Sequence, residues 1–230
     1  MTRRIFACGG DGWPTDPGHP AIEERMLELL GVDTPRVLFL PTASGDSGNL
    51  ISRFYEFFAP RGCRCDHLAI FRPHPRSVEQ AIADQDLVYV GGGSTANLLA
   101  LWALHGVDAA LRDAYGRGVA MAGVSAGAIC WFRHGLSNSL GHGFAPVEGL
   151  GLLPGAFCPH VDGDAGRAPA LEAAVRNGHF PEAYGVDDGA ALVFADERLT
   201  EVVSAREGRG ARRVALRDGA PAWEPALPAV

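Results

Sequence analysis

Val119-Ala120-Met121-Ala122-Gly123-Val124-Ser125-Ala126-Gly127-Ala128 is the stretch that decides the fold. Val119 to Ala122 is unbroken apolar sequence, as expected of a strand buried on both faces. Ala128, Ile129, Cys130 and Trp131 then continue as a helix-like run. Between them lies G-x-S-x-G, so the segment reads as strand, tight turn and helix, the elbow that presents a hydroxyl at the edge of a sheet. Such a turn holds its nucleophile in strained backbone. It also packs the residues two before and two after it too closely for a Cβ, which accounts for Gly123 and Gly127. The following helix N-terminus favours developing negative charge, and the Ala126 N–H is placed as an oxyanion donor. The plain alternative is a structural glycine-rich turn.

Outward from this elbow, short apolar runs alternate with helical patterns. Strands are predicted at Arg4–Cys8, Arg36–Leu40, Leu68–Phe71 and Asp86–Val90. Helices are predicted around Ile22, Met26 and Leu29, around Phe54, Phe57 and Phe58, at 78–83, around Leu98 and Trp102, and at 107–115. This alternation predicts an α/β fold, a mostly parallel sheet with helices on both faces. The last third differs. Gly185–Phe194, Thr200–Ala205 and Arg213–Arg217 read as strands joined by short turns, so the sheet is expected to turn antiparallel towards the C-terminus. With no internal repeat or linker, one domain over residues 1–230 is expected.

The chain has 230 residues, 47% of them hydrophobic, enough for a substantial core. The net charge of -7 and the lack of a basic run argue against nucleic acid. The one compact basic cluster, Arg206, Arg209, Arg212 and Arg213, reads as a solvated turn between late strands. No apolar run approaches the ~20 residues of a membrane span. The apolar start is too short for a signal peptide, so the cytoplasm is expected. Five cysteines, without framework spacing, are expected to be reduced thiols.

A serine hydroxyl needs a base and a second oxyanion donor. The donor is expected from Gly91-Gly92-Gly93-Ser94-Thr95, which follows a buried strand and opens a helix; its spacing is not that of a phosphate loop. The leading base is His160, at the end of a strand-like run and the start of the polar loop Val161-Asp162-Gly163-Asp164. Asp162, Asp187 and Asp188 could each orient it, and spacing does not choose among them. Cys158, His160, Asp162 and Asp164 also suggest a metal cluster, but they alternate along an extended segment and would populate two faces. A non-catalytic binding protein on the same fold is a further alternative.

Taken in order, Leu38-Phe39-Leu40-Pro41-Thr42-Ala43, Val90-Gly91-Gly92-Gly93-Ser94-Thr95, Gly123-Val124-Ser125-Ala126-Gly127-Ala128, Cys158-Pro159-His160 and Gly185-Val186-Asp187-Asp188-Gly189-Ala190-Ala191-Leu192 resemble the peptidase E family of aspartyl dipeptidases and the related cyanophycinases. The resemblance implies a three-layer sandwich akin to class I glutamine amidotransferases, with serine in place of their cysteine. It implies a serine peptidase cleaving small peptides without metal or organic cofactor; charge and hydropathy argue against nucleic-acid and membrane partners, and a homodimer is compatible with the reading. It assigns Ser125 as nucleophile, His160 as base, and the N–H groups of Gly93 and Ala126 as the oxyanion hole. The family's third member is commonly glutamate, and Asp188 stands at that position. The amidotransferase pattern would nominate Asp162 instead. Aspartyl dipeptidases carry a longer loop after the histidine, with an arginine that binds the substrate's aspartate. Here the loop is short and acidic, and Arg167 is the candidate for that arginine, the alternative being a surface residue at a helix start.

Overall fold

The central strands of the main sheet are apolar on both faces, and this sets the layering. The computed structural model describes residues 2–72, 75–141 and 143–227. The chain begins with β1 (Arg4–Cys8), α1 (Ala21–Leu30), β2 (Arg36–Leu40), α2 (Gly48–Phe58), β3 (Arg64–His67), α3 (Val78–Ala83) and β4 (Leu87–Val90). It continues with α4 (Thr95–His105), α5 (Val107–Gly116), β5 (Ala120–Val124), α6 (Ala126–Ile129), β6 (Phe132–Ser137), β7 (Ala145–Glu148) and β8 (Leu153–Cys158). It ends with α7 (Arg167–Arg176), β9 (Glu182–Val186), β10 (Ala190–Ala195), β11 (Arg198–Ser204), β12 (Ala211–Arg217) and β13 (Ala220–Pro225).

Seven strands form the first sheet in the order β11-β10-β1-β5-β4-β2-β3. It is parallel from β1 to β3 and antiparallel at β10 and β11. Successive side chains on a strand point to opposite faces. Phe6, Cys8, Val37, Phe39, Leu87 and Tyr89 therefore pack on one side with Ile22 and Met26 of α1 and Phe54, Phe57 and Phe58 of α2. Ile5, Ala7, Leu38, Leu40, Val88 and Val90 pack on the other with Leu98 and Trp102 of α4 and Leu111 of α5. The α/β sandwich expected from the sequence is present.

A second, six-stranded sheet, β13-β12-β9-β8-β6-β7, was not expected. Its inner residues Phe132, Leu153 and Phe157 join the core on the α4 side. Its outer residues Leu136, Ala156, Ala183 and Val214 are covered by Leu171, Ala174 and Val175 of α7. The run Gly185–Phe194, read as one strand, is two: β9 lies in the second sheet and β10 in the first. The break comes at Asp187–Gly189, where Gly189 has φ 73° and donates to the Gly10 carbonyl at 3.1 Å. The strand expected at Leu68–Phe71 is instead Arg64–His67, an edge strand whose exposed Arg64 and half-buried neighbours give no apolar signature. The helix after Ser125 stops after one turn because β6 begins at Phe132.

The chain passes between the sheets three times, from β5 to β6, from β9 to β10 and from β11 to β12. Among the described residues no helix is long and apolar enough to cross a membrane.

Candidate active site

Parallel α/β sheets place their functional loops at the carboxyl ends of the strands. Here the ends of β1, β4 and β5 meet. Ser125 leaves β5 with φ 56° and ψ -114°, a conformation costly for a residue with a side chain. Its N–H donates to the Cys8 carbonyl at 3.0 Å, tying the elbow to the end of β1. The two glycines of the motif have the expected steric cause. A Cβ at Gly123 would collide with the Gly127 carbonyl, and one at Gly127 with the Val90 carbonyl.

The glycine-rich loop after β4 runs beside the serine. A Cβ on Gly92 would lie 3.3 Å from Ser125 Cβ. Gly93 has φ 139°, backbone that L side chains rarely adopt, and a Cβ there would collide with the Ala43 carbonyl. That carbonyl accepts the Ser94 N–H at 2.8 Å, while the N–H groups of Gly93 and Ala126 have no acceptor among the described residues. Ser94 caps α4 by accepting the Asn97 N–H at 3.2 Å.

His160 lies two residues beyond β8, in the left-handed region at φ 55°. Its Nε2 is 2.8 Å from Ser125 Oγ. Its Nδ1 makes a short hydrogen bond to Asp188 Oδ1. Asp188 sits where the chain passes from β9 to β10 and forms an isolated parallel bridge with Gly10. Gly10, two residues past the end of β1, is where this packing admits no side chain. A Cβ there would collide with both Asp188 Oδ1 and His160 Nδ1. The bridge brings the Asp188 backbone close enough for its single methylene to reach the imidazole.

The other candidate acids are engaged elsewhere. Asp162 Oδ1 accepts the Asp188 N–H at 2.8 Å, and Oδ2 pairs with Arg209. Asp187 accepts the Gly210 N–H at 3.1 Å, and burial raises its carboxyl above the usual range. Asp164 accepts the Gly166 N–H at 3.0 Å, and the Cys158 thiol is buried with its proton towards the Pro159 carbonyl. Cys158, His160, Asp162 and Asp164 thus do not converge as a ligand set, and no group of three or more His, Cys, Asp or Glu among the described residues could hold a metal ion.

Two arginine readings change. The turn between β11 and β12 is not merely solvated: Arg209 holds Asp162, and Arg206 Nε donates to Asp16 at 3.1 Å. Arg167 is not a surface residue. It is 7% exposed, its guanidinium lies 4.8 Å from the centre of the Phe144 ring, and its Nε has no partner among the described residues. It also lies beside Cys158, whose thiol burial pushes up to about 12 while the guanidinium pulls it down. No hydrogen bond or ion pair joins Arg167 to Ser125, His160 or Asp188.

With this geometry in place, comparison with known proteins gives a consistent result. The model of Peptidase family S51 matches residues 5–202. The uncharacterized peptidase YgaJ of Bacillus subtilis (strain 168) is 42% identical over 216 residues, 94% of each chain. A crystal structure of a peptidase from an acI-B1 Actinobacterium superposes with a TM-score of 0.71 at 20% identity, covering 100% of this chain and 97% of that one. An inferred peptidase E protein from Listeria monocytogenes EGD-e gives a TM-score of 0.63 at 17% identity, over 87% of this chain and 98% of that one. The two structures are similar in fold.

Proposed function

The chain belongs to peptidase family S51 and is a peptidase, and we propose that it hydrolyses small peptides by acyl-enzyme chemistry at Ser125, with His160 as base and Asp188 as the acid that orients it. The observation that carries this reading is the chain of contacts from Ser125 Oγ to His160 Nε2, at 2.8 Å, and from His160 Nδ1 to Asp188. A carboxylate on Nδ1 favours the tautomer whose proton sits there, leaving Nε2 to accept the serine proton. Ser125 Oγ then attacks the scissile carbonyl as His160 takes its proton. The oxyanion is received by the N–H groups of Gly93 and Ala126, each worth roughly 3 kcal/mol at the transition state. The C–N bond breaks as His160 returns the proton to the leaving amine. Water, deprotonated by His160, attacks the ester and releases Ser125.

Arg167 is the proposed receiver of a substrate carboxylate, as in cleavage after an N-terminal aspartate. Its buried Nε lacks an acceptor, and a carboxylate bound there would supply one.

The test is labelling by a fluorophosphonate, together with turnover of a dipeptide panel that includes N-terminal aspartate members. Wild type is expected to be labelled and Ser125→Ala to be neither labelled nor active. Arg167→Met is expected to raise KM for the acidic members alone. Folded wild-type protein that resists the probe, with hydrolysis surviving in Ser125→Ala, would remove the proposal.

A further inference from the structure

We propose that Asp162, held by Arg209, is a positioning residue for the acid of the triad: it fixes the Asp188 peptide, and with it the aim of the carboxylate on His160. The inference rests on the reading of Ser125, His160 and Asp188 as the catalytic set. Asp188 has one methylene, so the direction of its carboxylate is set almost entirely by its own backbone. That backbone lies in the link between the two sheets and is tied down from three sides. Gly189 donates to the Gly10 carbonyl at 3.1 Å, the Asp187 N–H donates to the Gly210 carbonyl of the β11–β12 turn at 3.0 Å, and the Asp188 N–H itself is taken by Asp162 Oδ1 at 2.8 Å. The third tie is made by a side chain, from a residue two positions after the base.

The same carboxylate carries a charge into a crowded place. Asp188 is on the imidazole, Asp162 is on the Asp188 N–H, and Asp187 precedes Asp188 in the chain, so three carboxylates gather at this link. Arg209 reaches Asp162 from the β11–β12 turn, and Arg206 sits beyond it on Asp16 and 3.8 Å from Asp11. The Arg209 main chain is in turn fixed, its carbonyl accepting the Ser204 hydroxyl at 2.6 Å. Asp162 therefore supplies an acceptor, and Arg209 cancels the charge that comes with it. Two separate effects follow. Loss of the acceptor loosens Asp188, and loss of either charge alone alters how readily the neighbouring imidazole takes a proton.

The experiment measures kcat, KM and the acid limb of the kcat/KM profile for Asp162→Ala, Asp162→Asn, Arg209→Gln and Ser125→Ala, on a peptide the wild type cleaves. Asp162→Ala is expected to lower kcat about 10-fold with little change in KM. Asp162→Asn keeps a carbonyl acceptor and is expected to recover most of kcat. With Arg209 left uncompensated, its acid limb moves to lower pH, by roughly half a unit, and Arg209→Gln moves the limb upward by a similar amount. If Asp162→Ala does not fold, the opposed shifts in the other two variants carry the test. Asp162 and Arg209 variants that all superimpose on wild type, or limbs that move the same way, overturn the proposal while an inactive Ser125→Ala leaves the catalytic reading standing. Turnover surviving in Ser125→Ala overturns both.

Discussion

Around Ser125 the chain is held by approaches too close for any side chain: Gly123 against Gly127, Gly127 against Val90, and Gly93 against Ala43, in each case against a backbone carbonyl. Around His160 and Asp188 it is held by directed polar contacts among Asp162, Arg209, Asp187 and Gly210. The serine half has no room to adjust and little charge to perturb. The acid–base half meets backbone at Gly9 but has room at Gly10, where the atoms that a Cβ would meet are the ends of two side chains, and its precision comes from hydrogen bonds. One half should thus fail by volume and the other by chemistry.

Four measurements would expose any failure of this contrast. The largest effect is expected for Gly127→Ala, where a methyl group meets immovable backbone: a loss of more than about 4 kcal/mol and little folded protein, read by chemical denaturation. An Ala variant of wild-type stability would show that the elbow has slack. Asp188→Asn should keep the fold while kcat drops ~1,000-fold or more, because the amide favours the wrong imidazole tautomer. A fall of only a few-fold would mean that the acid's charge and tautomer control count for little.

The third measurement concerns Glu23 of α1, a buried carboxyl on the face of the first sheet that α1 and α2 cover, away from the polar contacts of His160 and Asp188. Its Oε1 accepts the Trp13 N–H at 3.2 Å, and burial pushes its carboxyl from the usual 4.5 up to about 7. A raised carboxyl stays protonated in the fold while the unfolded chain ionises. Its contribution is therefore fully favourable below pH 4.5 and is lost as pH rises to about 7. Between those limits Glu23→Gln should gain about 3 kcal/mol on wild type in urea titrations. The acid limb of activity should stay where it is, and a moved limb would show that charge reaches the serine half after all. The smallest effect is expected for Gly10→Ala. His160 and Asp188 must shift, so kcat falls about 30-fold, but stability changes by under about 1 kcal/mol because only side-chain ends are displaced. Unfolding instead would place Gly10 with the rigid glycines.

The same contrast explains what could be read in the sequence. β1, β2, β4 and β5 are apolar on both faces, and the glycines at 123 and 127 have a local steric cause, so short windows reveal them. The second sheet was hidden because β6 and β8 carry glycine at Gly135 and Gly155 and β7 and β13 carry proline. Spacing did not choose between Asp188 and Asp162, and only the family resemblance pointed to Asp188, since the contact depends on the bridge between Gly10 and Asp188, residues 178 positions apart. Arg209 looked like solvated charge because its partner lies on a different loop. Contacts within a turn leave a mark in sequence; contacts between distant loops do not.

Each of the three passages between the sheets carries one part of this assembly: Ser125 opens the first, Asp188 lies in the second and Arg209 in the third. The candidate site is consequently a seam, and these residues are its stitches. Sliding one layer over the other by a fraction of an ångström would misalign hydroxyl, imidazole and carboxylate together. Gentle heating or low denaturant should thus silence the enzyme before either layer melts.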